Sequence, residues 1–319
     1  MAERVRTGTM LDRALYGGVN AAVLTPMDSD LAPDIGLMAA HCQWLLANGC
    51  DGLGILGTTG EATSFSVAER IAVMEGLVAA GIPATKLMPG TGSAALTDSV
   101  ELTKAAKRLG CPGVLMLPPF YYKNPSEDGL FAWFSEVIGR AGGGIAVYLY
   151  HFPQQSAVPF SLDLIGRLLR AFPGVIRGVK DSSGDYANMK AMIDAFGQDG
   201  FEVYSGSDEF LSRILHDGGA GSITAAANVN CSAAAAVVRA FRSGDRAAEE
   251  AAQAVLTATR RVATSVPLIA GLREIVARRT GNYAWRLIRP PNMPLAADEV
   301  GSFLAAFDAT GIDRLALAA

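Results

Sequence analysis

The chain changes its hydrophobic period again and again, and this constrains the fold more than any single motif. Apolar, β-rich runs at 17–26, 51–57, 86–92, 113–119, 145–153, 174–181, 201–208 and 221–228 alternate with stretches at helical spacing. Those stretches lie at 35–49, 66–81, 97–110, 126–142, 161–172, 186–197, 209–219 and 231–241. Uninterrupted apolar strands between amphipathic helices indicate a parallel sheet covered by helices. Eight such units over about 225 residues predict an α/β fold, the (β/α)8 or TIM barrel, which typically needs about 250 residues. An open doubly wound sheet is the rival arrangement. The expected organisation is an N-terminal tail at 1–16, the barrel at 17–242 and a C-terminal helical region at 243–319. That last region continues the apolar stripes without another strand.

Half of the 319 residues are apolar, so a large core can be buried, and the formal charge of −4 supplies no basic field. Nucleic acid is therefore excluded as the expected partner. Cys42, Cys50, Cys111 and Cys231 are scattered without a CxxC pair, which reads as reduced core thiols in a cytoplasmic protein. Charges interrupt the apolar residues of the first eighteen positions, and no later run reaches the length of a membrane span.

In such a barrel, reacting groups come from the C-terminal ends of strands and the loops after them. Lys180 occupies that place in GVIRGVKDSSGD at 174–185, on the sixth expected strand. Lys86, Lys104, Lys107, Lys123 and Lys190 fall at a strand start, on helices or in a loop, where each can be a solvated charge. An amine taken out of water favours its neutral form, as a Schiff-base nucleophile requires. The plainer reading pairs Lys180 with Asp181, Asp208 or Glu61.

LGTTGEATS at 56–64 brackets Thr58 and Thr59 with glycines, so a tight turn can point backbone N–H groups and two hydroxyls at a carboxylate. An ordinary βα turn is the alternative. GLGILG at 52–57 matches a dinucleotide fingerprint only in letters, because its glycines lie within a strand and no helix begins until about Ser66. In VYLYHFP at 147–153, Tyr148 and Tyr150 share one face, with Tyr150 nearer the mouth and able to relay protons. Tyr148 reads as core filler and His151, on the opposite face, as structural. His41, His151 and His216 have no metal-ligand spacing, so no metal is expected.

Taken together, LGTTGE at 56–61, the Tyr-x-x-Pro of Tyr150 to Pro153, PPFYYKNPSEDGL at 118–130, GVKDSSGD at 178–185 and SGSD at 205–208 resemble the dihydrodipicolinate synthase/N-acetylneuraminate lyase superfamily of class I, pyruvate-dependent aldolases. The resemblance runs in order from about residue 17 to the C-terminal helices. It implies that Lys180 forms an imine with a 2-oxo acid, that Thr58 and Thr59 hold its carboxylate and that Tyr150 shuttles protons. It also implies that Gly206 and Ile223 line the site, and that Tyr122 reaches the active site of a neighbouring subunit in a homotetramer. No cofactor beyond the covalent imine is implied.

Two departures narrow the branch. Dihydrodipicolinate synthases carry an arginine where this chain has Gln155, and tend to have Glu-Ala-Thr-Gly where it has Asp181-Ser182-Ser183-Gly184. A neutral amide does not replace a bidentate guanidinium. The expected function is thus a lyase that cleaves or forms a 4-hydroxy-2-oxo acid or 2-keto-3-deoxy sugar acid, with pyruvate and an aldehyde as its small-molecule partners. Gln154, Gln155, Ser182, Ser183, Asp208 and Asn228 are candidates to meet the aldehyde's hydroxyls. A dehydratase or a 4-hydroxy-tetrahydrodipicolinate synthase using the same imine stays open, as does a non-catalytic barrel that only binds a 2-oxo acid.

Overall fold

A computed structural model describes residues 8–312, so the outer parts of the expected tail and C-terminal region lie outside the described residues. Seven parallel strands form one sheet: β1 (Gly18–Ala22), β2 (Gly52–Gly54), β3 (Gly113–Met116), β4 (Ala146–His151), β5 (Ile176–Asp181), β6 (Glu202–Ser205) and β7 (Gly221–Thr224). Their order is β2-β1-β7-β6-β5-β4-β3, which leaves one gap between β2 and β3.

The segment expected as the third strand fills that gap without becoming a regular strand. Met88 N donates to Leu53 O (2.9 Å) and Gly90 N to Ile55 O (2.8 Å) on one side, while Thr91 N donates to Leu115 O (2.9 Å) and Leu115 N to Pro89 O (2.9 Å) on the other. Pro89 has no N–H to give. A Cβ on Gly90 would stand 2.2 Å from Leu56 O, so the backbones approach there more closely than a side chain permits. The result is a closed barrel of seven strands and one bridged segment.

Between the strands lie α2 (Ile35–Ala47), α3 (Val67–Ala79), α4 (Leu96–Arg108), α5 (Glu127–Ala141), a short turn α6 (Pro153–Ser156), α7 (Leu162–Ala171), α8 (Tyr186–Phe196) and α9 (Leu211–His216). They are preceded by α1 (Met10–Arg13). The last barrel helix, α10 (Ala227–Ser243), starts four residues before the expected position and breaks at Asn230. Two further helices, α11 (Arg246–Ala263) and α12 (Leu268–Thr280), pack beside it, and α13 (Ala297–Asp308) packs against those two.

Strand alternation sorts the side chains into two cores. Val19, Leu149, Val179 and Val203 point outward under the helices. Ala22, Tyr148, Tyr150, Tyr204 and Ile223 point inward. At the lower end, buried Glu202 accepts from Tyr148 Oη and Tyr204 Oη (2.8 Å each), Arg177 Nε (2.6 Å) and Leu15 N (3.1 Å). Met10 and Tyr16 join the inner cluster, so the residues ahead of Gly17 seal the base. Tyr148 is core filler with its hydroxyl satisfied. The mouth, at the other end, is left for chemistry.

Candidate active site

Register places Lys180 at the mouth end of β5, with Tyr150 beside it on β4 and Tyr204 on β6. Lys180 is buried, and its Nζ sits 4.4 Å from the centroid of the Tyr150 ring. No carboxylate among the described residues forms an ion pair with it. The three candidates are otherwise engaged: Asp181 accepts from Ser183 N and Asn188 Nδ2 (2.7 Å each), Glu61 pairs with Arg273, and Asp208 accepts from Thr224 Oγ1 (2.7 Å). The plain ion-pair reading of this lysine therefore has no partner. Its ammonium or amine faces a cavity of about 620 Å³.

Across that cavity stands the turn after β2. Leu56 and Glu61 both take left-handed backbone, with φ of 54° each, which bends the chain sharply on either side of Thr58 and Thr59. Glu61 N donates to Thr58 O (3.0 Å) and Ala62 N to Gly57 O (3.2 Å), whereas the N–H groups of Thr58 and Thr59 donate to nothing among the described residues. Thr58 Oγ1 lies 3.4 Å from Tyr150 Oη. Thr58, Thr59, Tyr150 and Lys180 thus line one cavity, and the two threonine N–H groups bond to nothing among the described residues. The turn is held from below by the buried Glu61–Arg273 pair, in which Arg273 also donates to Thr25 O (2.7 Å).

Thr58, Thr59, Tyr150, Gln155, Lys180, Ser182 and Gly206 all line the cavity. At Gly206 a Cβ would come within 2.1 Å of Ser182 Oγ, so only glycine lets the ends of β5 and β6 close together. Ile223 is buried beneath the site in the inner cluster and is not part of the cavity wall. Tyr122 lies away from the cavity, 78% exposed, with its ring edge-on to Tyr121. Gln154 lines the rim and ties it, donating to Ser183 O (2.7 Å). Asn228 does not face the cavity: its amide donates to Ala22 O and Ala225 O (2.8 and 2.7 Å). His151 accepts from Phe160 N (3.1 Å) as a structural residue, and burial holds its ring below the usual histidine pKa against the pull of Asp181.

The C-terminal helices contribute a wall that the strand pattern gave no sign of. Arg260 on α11 and Thr264, the residue that caps that helix, line the same cavity, as do Asn292 and Met293. Arg260 Nη1 is buried without a partner, and burial raises the Asp208 pKa while Arg260 opposes that rise. A smaller recess of about 120 Å³ opens beside Thr58 and Tyr150 and is walled by Leu56, Leu115, Leu117 and Phe120. Among the described residues no three His, Cys, Asp or Glu side chains cluster as a metal site, and no helix is long and apolar enough to cross a membrane.

Comparison with known proteins places this geometry. An uncharacterized DapA-like lyase of Chloroflexus aurantiacus is 37% identical over 292 residues, covering 91% of this chain and 96% of that relative. The crystal structure of dihydrodipicolinate synthase from Agrobacterium tumefaciens superposes with a TM-score of 0.81 at 31% identity, covering 92% of this chain and 99% of the other. The E. coli K12 prophage protein YagE, solved in complex with pyruvate, gives a TM-score of 0.86 at 26% identity over 94% of this chain and 100% of its own. The model of the dihydrodipicolinate synthetase family matches residues 15–309, and with the barrel and its mouth as described, the chain belongs to that family.

Proposed function

We propose that the protein is a class I, pyruvate-dependent lyase that cleaves or forms the C3–C4 bond of a 4-hydroxy-2-oxo acid, with Lys180 as the imine-forming residue. The observation that carries this reading is the buried Lys180 amine, without a carboxylate partner among the described residues and lining one cavity with Thr58 and Thr59, whose N–H groups bond to nothing among those residues. Pyruvate bound to YagE supports the 2-oxo acid half.

The 2-oxo acid carboxylate is held by the Thr58–Thr59 turn, which brings its keto carbon to Lys180 Nζ. The amine adds to that carbon and water leaves, giving a protonated imine. Tyr150, with Thr58 beside it, takes the proton of the C4 hydroxyl, and the C3–C4 electron pair flows into the imine as the aldehyde departs. The enamine is then protonated and hydrolysed to pyruvate and free lysine. No outside electron acceptor is needed at any step.

Gln155 in place of an arginine speaks against the lysine-biosynthetic aldehyde, because an amide offers no bidentate charge. Ser182, Ser183 and Arg260 on the opposite side favour an aldehyde half rich in hydroxyls or ending in an acidic group. A homotetramer in the cytoplasm fits the family and the exposed Tyr122.

The experiment is borohydride reduction in the presence of pyruvate, followed by peptide mapping. The adduct is expected on the peptide carrying Lys180 and absent from Lys180→Ala, which keeps its fold because it loses no ion pair or packed aromatic group. A labelled peptide carrying another lysine overturns the assignment. Screening sugar acids for pyruvate release, or for water loss without aldehyde, then separates aldolase from dehydratase.

A further inference from the structure

The charged side chains on the wall of the mouth cavity are Lys180, Glu209 and Arg260. Two of them have work already. Lys180 is the imine former of the proposed reaction, and Glu209 pairs with Arg261 Nε at 2.9 Å. Two neutral donors on the same wall are engaged as well: Thr264 Oγ1 donates to Arg260 O (3.0 Å) and Asn292 Nδ2 to Glu61 Oε2 (3.4 Å). The guanidinium of Arg260 makes no hydrogen bond and no ion pair among the described residues, and its Nη1 is buried.

Asp208 acts on Arg260 without satisfying it. The two attract each other through the interior but form no ion pair, because the Asp208 carboxylate is fully buried and held by Thr224 Oγ1 (2.7 Å) and the Asn230 side chain. A cation in the last turn of α11 also suits the carbonyl end of the helix dipole. Arg261 meets that need from the surface, with its side chain 74% exposed, so the dipole gives no reason to bury Arg260 Nη1.

A buried guanidinium N–H without an acceptor is costly, and a carboxylate matches the flat fork of an arginine best. One guanidinium balances one negative charge. Glu209 on the same wall opposes a second, so a carboxylate fits better than a phosphate dianion. At about 620 Å³ the cavity has room for both halves of a condensed substrate.

We propose that Arg260 selects the aldehyde half by binding a carboxylate at its far end, so that the substrate is a 4-hydroxy-2-oxo dicarboxylic acid. This rests on the assignment of the 2-oxo acid to Lys180 and the Thr58–Thr59 turn. The charge that reads the aldehyde then comes from α11, whereas the position after β4 is the neutral Gln155.

The test is calorimetry on the intact protein with two pairs of probes of equal length, 2-oxoglutarate against 2-oxopentanoate and 2-oxoadipate against 2-oxohexanoate. At least one diacid should bind about 10–100-fold more tightly than its methyl-ended counterpart. Arg260→Met should bring that ratio close to one and leave the methyl-ended acids binding as in wild type. Arg260→Lys should keep part of the gain, since a point charge remains without the fork. Should Arg260→Met not fold, the wild-type ratio and the lysine variant still decide. In condensation with pyruvate, glyoxylate or succinate semialdehyde should outpace glyceraldehyde and glyceraldehyde 3-phosphate. The proposal fails if neither diacid gains over its counterpart, if the gain survives in Arg260→Met, or if glyceraldehyde or its phosphate is the better aldehyde. Failure of the underlying reading looks different: the methyl-ended acids themselves do not bind, or borohydride leaves no adduct on Lys180.

Discussion

Tyr150 and Lys180 face each other across one strand register, and each needs the other for the proposed chemistry: the amine makes the electron sink, the phenol moves the proton. Tyr150→Phe keeps the ring against Lys180 and removes only the hydroxyl near Thr58, so single-turnover cleavage should slow by about 10²–10⁴-fold. Pyruvate affinity should change far less, since the Thr58–Thr59 turn is untouched; wild-type rates in the variant would remove Tyr150 from the mechanism. His41 carries a different prediction. Burial depresses its pKa from 6.5 to about 4, so the stability it lends is complete above pH 6.5 and is lost as pH falls towards 4. The loss is about 3 kcal/mol, from the standard energy of such a shift. Urea midpoints measured from pH 7 to 4 should show this fall in wild type and much less of it in His41→Gln. Lys180 and Tyr150 were legible in the sequence because a charge or phenol at the end of an apolar strand breaks a period-two pattern. Arg260 was not, since an arginine on an amphipathic helix looks like any solvated face until packing turns it inward.

Among the elements, the turn at 56–61 depends most on distant chain. Its left-handed ends are locked by the ion pair from Glu61 to Arg273 on α12, both fully buried. Arg273→Met strands a carboxylate in the interior and should cost about 3–5 kcal/mol in urea unfolding. The double variant Arg273→Met, Glu61→Leu removes both charges and should recover part of that loss, while 2-oxo acid affinity stays reduced because the turn is no longer anchored. Full stability in the single variant would show that the pair holds nothing. The turn itself was readable from its glycines, but its anchor was not, because ion pairs between residues 212 apart leave no local trace. The segment at 86–92 has the same cause in reverse: its apolar composition announced a strand, and Pro89 with the close approach at Gly90 reduced it to bridges.

For the whole molecule, the barrel was foreseeable from its alternating periods, whereas the sealing of its base by Leu15 and Glu202 and the wall given by α11 arise only on packing. Tyr122 belongs to this scale: it is 78% exposed and outside its own chain's cavity, so the role proposed for it depends on the proposed homotetramer. On the proposed homotetramer, turnover per chain is expected to fall on dilution as sedimentation velocity shows dissociation, and Tyr122→Phe should lower turnover at concentrations where the tetramer is intact. A monomer with undiminished turnover would exclude that role. The Glu61–Arg273 latch also sets an order in time. Arg273, which fixes the turn, is made 212 positions after Glu61, roughly 10–40 s later at ordinary elongation rates. During that interval the nascent chain carries an unpaired glutamate beside Thr58 and Thr59, so the turn is finished only after α12 has been made.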